Sequence, residues 1–188
     1  LLSNLARFAI PAAIVTGGVA TAVYAFLYES VTQFIGSGRT PAQAISDFES
    51  YTGLTYTDAD FATAAATIGA QTGLSTFVCL ASFILILFLA PPTRLFAAWT
   101  PPVADRRPTV LVAVLVAAFA AVLFVPALYR YFGLTAGNTF VVRIVGVAVV
   151  LWFAALSAAY HFRLLDRILG LEQIRGDATP GRSAPPAG

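Results

Sequence analysis

Four long stretches of this sequence carry almost no charge, and together they take up most of the chain. They lie at about 6–28, 63–90, 109–129 and 139–162. An α-helix rises about 1.5 Å per residue, so roughly 20 apolar residues cross the ~30 Å hydrocarbon core of a bilayer. Each stretch meets that length. The composition points the same way. Of the 188 residues, 59% are hydrophobic and 11% charged, where soluble domains hold about a quarter charged residues. A mean hydropathy of +0.82 over the whole chain exceeds what one buried core absorbs, and a bilayer accepts the excess. The expected fold is an all-α membrane protein, a four-helix transmembrane bundle over residues 1–171 with a polar tail at 172–188. That tail, rich in Gly, Pro, Ser and Arg, cannot bury enough surface to fold.

The chain has no Met and opens on Leu1, which suggests a fragment or processed product. It has no Lys, so all eleven basic residues are Arg; with the abundance of Ala, this fits a GC-rich bacterial genome and a bacterial cytoplasmic membrane. The net charge of +2, spread without a basic run, gives no case for nucleic acid. Cys79 is the single cysteine, so neither a disulfide framework nor a cysteine metal site can form within one chain. The first stretch is too long for a signal peptide, has only Arg7 before it, and is followed by three more spans.

Local signals punctuate the spans. Pro11 is expected in the first turn of span one or at a kink after Arg7. Gly17 and Gly18 are expected to admit a close neighbour. In the polar connection 29–62, Thr40-Pro41 starts a short amphipathic helix with Ala42, Ile45 and Phe48 on one side, lying at the membrane surface and ended by Gly53. Thr57-x-x-Asp60 resembles a capping box ahead of span two. Pro91-Pro92 closes that span, and Leu95, Phe96 and Trp99 suit the headgroup level. Tyr129-Arg130-Tyr131 reads as an interfacial anchor.

Arginine placement sets the orientation. The connection 29–62 is acidic, with Glu29, Asp47, Glu49, Asp58 and Asp60 against Arg39. The connection 91–108 holds Arg94, Arg106 and Arg107, and the C-terminal region holds Arg163, Arg167, Arg175 and Arg182. With Arg7 before span one, both termini are expected in the cytoplasm.

Chemistry is sparse. The sequence lacks HExxH and a phosphate-binding GxxxxGK, and a second His or Cys that could join His161 or Cys79. His161 reads as an interfacial histidine. The nine acids fall in loops, tails or helix ends, so these spans alone cannot build a carboxylate ion site or proton relay. No catalytic, cofactor or metal residue is assigned. One polar feature stands out. Thr63, Thr67, Gln71, Ser75 and Cys79 recur every four residues along span two, with Ser82 close by, and make an oblique stripe. Lipid offers such a stripe no partner, so it should face protein or water. Interhelical hydrogen bonding through Thr67, Gln71 and Ser75 is the plain expectation; an ion or solvent path lined by Gln71 and Ser75 is the sharper one. Gly69 with Gly73, and Ala154 with Ala158, form small-xxx-small pairs suited to close packing.

Three stretches resemble the last membrane helices of bacterial P-type cation-transporting ATPases. LARFAIPAAIVTGGVATAVYAF is similar to the seventh helix of that family. RPTVLVAVLVAAFAAVLFVPALYRYFGLT is similar to the ninth and its exit, and VVLWFAALSAAYHFRLLDRILGL to the tenth. TAAATIGAQTGLSTFVCLASFILILFLAPPTR takes the place of the eighth. The resemblance spans about 5–171 and implies that the chain supports the transport helices of an ATP-driven pump; its texture resembles that of calcium-pump-like or undefined-specificity members. ATP and Mg2+ would belong to that parent protein, whose other helices and cytoplasmic domains would be partners, along with the bilayer and the transported cation. The chain departs from the family where the chemistry lies: without Lys it has no Asp-Lys-Thr-Gly-Thr motif, and no acid stands inside span two where some calcium pumps place a Glu. No functional residue is therefore transferred. A stand-alone four-helix scaffold or accessory protein, and a small oligomeric channel, remain alternatives.

Overall fold

The computed structural model describes residues 2–38, 42–93, 96, 105–125, 127–128 and 139–162. Five helices cover most of these: α1 (Leu2–Gly36), α2 (Ala42–Thr52), α3 (Asp58–Leu89), α4 (Arg107–Phe124) and α5 (Thr139–His161). No strand occurs among the described residues. All but α2 are long and apolar enough to cross a bilayer. The expected tail 172–188, together with Arg94, Leu95, Trp99, Tyr129-Arg130-Tyr131 and Arg163 onward, lies outside the described residues.

Helices α1, α3 and α5 pack against one another, while α4 packs on α3. The core follows the small-residue face of α3. Ala66, Ala70, Phe77 and Ala81 are fully buried there, and the last three cluster with Leu27 of α1 and with Val145, Trp152 and Leu156 of α5. Lipid tails are as apolar as leucine, so association in a membrane rests on fit rather than on escape from water. Small residues on α3 supply that fit by letting large side chains reach its backbone.

The closest approach is at Gly73, where a Cβ would collide with Leu27 Cδ1 and lie 3.5 Å from Val141 Cγ1. At Gly69 a Cβ would meet only Val31 Cγ2, at an ordinary 3.6 Å. Gly17 and Gly18 are exposed with nothing within 4 Å of a built Cβ. The expectation of a close neighbour there is corrected: α1 turns its Leu27 face, not its glycines, to the bundle. Ala154 is likewise exposed, so the α5 alanine pair is not a buried contact.

For Pro11, only the first-turn placement is corrected. Helix α1 begins at Leu2, so Pro11 is buried in the helix interior rather than in its first turn. A proline there cannot donate to the carbonyl four residues back and loosens the turn before it. Neighbouring helices commonly satisfy backbone freed in this way. The carbonyl that Pro11 leaves without its usual donor is that of Arg7; at the next residue, Tyr160 Oη donates to the Phe8 carbonyl at 3.0 Å. The two rings stack at 5.7 Å. Phe88, Phe96 and Phe153 complete a ring cluster around Tyr160 and each other, with centroids 5.3–5.6 Å apart. The start of α1, the end of α3 and the end of α5 therefore meet at one end of the bundle. Phe96 folds back onto that cluster.

At the opposite end, α2 follows the turn after α1 and stops at Gly53, whose φ of +70° suits a residue without Cβ. Phe48 packs on Tyr56 and edge-on against Phe61, joining α2 to the start of α3. Thr57 caps α3, accepting from the Asp60 N–H at 3.3 Å. Its hydroxyl donates to Asp60 Oδ2 at 2.6 Å. In a full capping box the acid bonds the cap's backbone N–H; here the Asp60 carboxylate accepts a hydrogen bond from the cap's hydroxyl instead.

Candidate functional site

The polar residues of α3 divide between two faces. Gln71, Ser75 and Ser82 are exposed, Thr67 and Cys79 are partly exposed, and Thr63 lies exposed near the helix start. Thr67 Oγ1 donates back to the Thr63 carbonyl at 2.8 Å, within the same helix. Gln71 and Ser75 make no side-chain hydrogen bond to another described helix. Val78 and Leu89 share this outer face. The stripe therefore looks away from the three-helix core, and the helix–helix bonds expected of Thr67, Gln71 and Ser75 are not formed within the described bundle.

The polar residues α3 does bury are one position further on. Thr72 and Thr76 are buried, and Thr76 Oγ1 donates to the Thr72 carbonyl at 2.8 Å. One residue is a 100° rotation on a helix, so Gln71-Ser75 and Thr72-Thr76 are adjacent lines with different surroundings. Four-residue spacing favours the longer Gln71-Ser75 line and does not say which line is packed. The signal that separates them is the run Ala66, Ala70, Gly73, Phe77, whose small residues mark the packed side.

The interhelical polar contacts fall elsewhere. Trp152 Nε1 donates to Thr16 Oγ1 at 2.9 Å, tying α5 to α1. Trp152 is fully buried and stands edge-on to Phe77 of α3, with centroids 6.4 Å apart. An indole N–H taken out of water needs an acceptor, and Thr16 provides it. Sequence reading missed this pair. A tryptophan in the middle of a span, away from the interface where the residue usually gathers, was the available sign.

Helix α4 is the least enclosed of the four spans. Phe119 meets Phe83 of α3 edge-on at 6.1 Å, while Val110, Leu111, Val114 and Phe124 stand exposed. His161 ends α5, exposed, with its ring against Phe162. Arg143 is exposed near the start of α5. Among the described residues, no three of His, Cys, Asp or Glu come together as a metal ligand set requires. The site this bundle offers is thus a surface: the outer polar line of α3 beside the thinly covered α4. No family model, curated protein or solved structure matches the chain.

Proposed function

We propose that this chain is a membrane-support bundle that seats against further transmembrane helices, and that those helices belong to an ATP-driven cation pump of the P-type. The exposed line Gln71, Ser75 and Ser82 carries the first part. A glutamine amide in hydrocarbon with no hydrogen-bond partner costs free energy, and a protein neighbour removes that cost. The pump itself is favoured by the resemblance of 5–26, 107–135 and 149–171 to the closing helices of that family. With both termini cytoplasmic, as the arginines favour, the bundle would enter and leave the membrane on the side where such a pump hydrolyses ATP. In that assembly the chain's part is mechanical. It braces the helices that hold the ion, and Gln71 and Ser75 supply polar contacts to them.

The coding DNA upstream of the Leu1 codon tests this directly. The expected result is an in-frame Asp-Lys-Thr-Gly-Thr followed by two further hydrophobic spans. A start codon within a few codons of Leu1 would overturn the pump reading.

A further inference from the structure

Helix α4 begins abruptly. Arg106 occupies the N-cap without a side-chain cap bond, and Arg107 is already the first helical residue. Eighteen residues give α4 a length of about 27 Å, slightly less than the ~30 Å hydrocarbon core. The apolar run that begins at Thr109 follows these residues almost directly. Arg106 and Arg107 must therefore lie at the edge of the hydrocarbon, at the depth of the lipid phosphates. Both are exposed, and neither guanidinium has an ion-pair or hydrogen-bond partner among the described residues. The nearby Asp105 is turned to another use: its Oδ1 accepts from the Arg107 backbone N–H at 2.9 Å.

These residues line an open depression of about 530 Å³. Asp105, Arg106 and Arg107 form its polar end, and Val110, Leu111 and Val114 its apolar wall. The three apolar residues stand at i, i+1 and i+4 and share one exposed side of α4. No other described helix covers that side, since α4 packs on α3.

We propose that the start of α4 is a binding site for an anionic phospholipid. The two guanidiniums bond the phosphate oxygens, and one acyl chain lies along Val110, Leu111 and Val114. Charge complementarity selects this occupant. An arginine pair is a good donor set for phosphate, and its planar forks can bond two oxygens at once. A zwitterionic lipid offers the same phosphate but adds a cation, which the guanidiniums repel. A soluble phosphate would leave the apolar wall unused. The inference needs only that α4 spans the bilayer and stands whether or not the pump reading does.

The test uses the full chain in vesicles of phosphatidylcholine mixed with phosphatidylglycerol, with lipid retention read after extraction by native mass spectrometry. Phosphatidylglycerol should be retained over phosphatidylcholine by about tenfold, since both arginines near the surface favour an anionic lipid and Asp105 offsets part of the gain. The double variant R106Q/R107Q should lose that preference, and R106K/R107K should keep most of it, because the lysine pair preserves the charge. A photoactivatable phosphatidylglycerol should label the peptide containing 105–114 in the unaltered chain, which makes the result independent of how well the variants fold. Free glycerol phosphate should not compete. Equal retention of the two lipids, labelling confined to other segments, or full competition by glycerol phosphate would each overturn the proposal.

Discussion

Trp152→Ala is expected to destabilise the bundle by about 3 kcal/mol. In a soluble core the loss combines a transfer term with a cavity term. In a membrane the transfer term nearly vanishes, because lipid is as apolar as the helix interior. What remains is the hole, at roughly 24 cal/mol per Å³ for a cavity of order 100–140 Å³. Trp152 is fully buried, so little nearby can relax to fill it. The lost bond to Thr16 adds about 0.6 kcal/mol, the average for interhelical hydrogen bonds in membranes. Thr16→Val should show that smaller cost alone. Equilibrium unfolding of the purified chain in mixed micelles of mild detergent and dodecyl sulfate measures both. If Trp152→Ala costs no more than Thr16→Val, α5 is not seated on α1 and α3 through this ring.

The second large effect is expected at Gly73. A methyl group there runs into Leu27 Cδ1. A leucine tip can often rotate away, but Leu27 is fully buried and Val141 closes the other side. Overpacking of this kind costs about 1–3 kcal/mol for Gly73→Ala. Gly73→Leu should push α1 off α3 altogether, with loss of cooperative unfolding. Two controls separate collision from a general intolerance of glycine replacement. Gly69→Ala adds an ordinary contact to Val31, and Gly17→Ala meets open space, so both should be close to neutral. Equal stability for Gly73→Ala and Gly69→Ala in the same unfolding assay would contradict the close approach.

Hydropathy and punctuation made the helices legible before any geometry was known. Charge-free runs of sufficient length have one inexpensive solvent, so the existence of four long apolar helices follows from the sequence. Gly53 and Thr57 mark the end of the short helix and the start of α3 by local backbone chemistry, which needs no tertiary context; Thr40-Pro41 lies outside the described residues. The helix ends were less legible. Span one was expected to stop near residue 28, yet α1 continues to Gly36 through Glu29, Thr32 and Gln33. Polarity marks where the bilayer ends, not where the helix does. Glu29 and Gln33, one turn apart, bond to each other at 3.1 Å and help carry the helix on into water.

The site was legible as a pattern and illegible as a direction. Four-residue spacing identifies a polar line on α3 but cannot say which way it looks. Gln71 and Ser75 turned outward, while Thr72 and Thr76, one step along, turned inward. Direction depends on which face carries the small residues that partners pack against, and the two glycine pairs illustrate the limit. Gly17-Gly18 and Gly69/Gly73 look alike as small-residue signals, and only Gly73 meets a side chain that needs its missing Cβ. The bond from Tyr160 to the Phe8 carbonyl joins residues far apart in sequence, and the local pattern around neither residue identifies the other.

The central claim is that α1, α3, α4 and α5 each cross the bilayer in alternating directions. Accessibility of single cysteines tests it, in a Cys79→Ala chain within sealed vesicles, using a membrane-impermeant maleimide. Ser3→Cys, Asp105→Cys and His161→Cys should react from one side, which arginine placement makes the cytoplasmic one, and Ser37→Cys should react from the other. If Ser37→Cys and Asp105→Cys label from the same side, α3 does not cross and the four-span bundle is wrong.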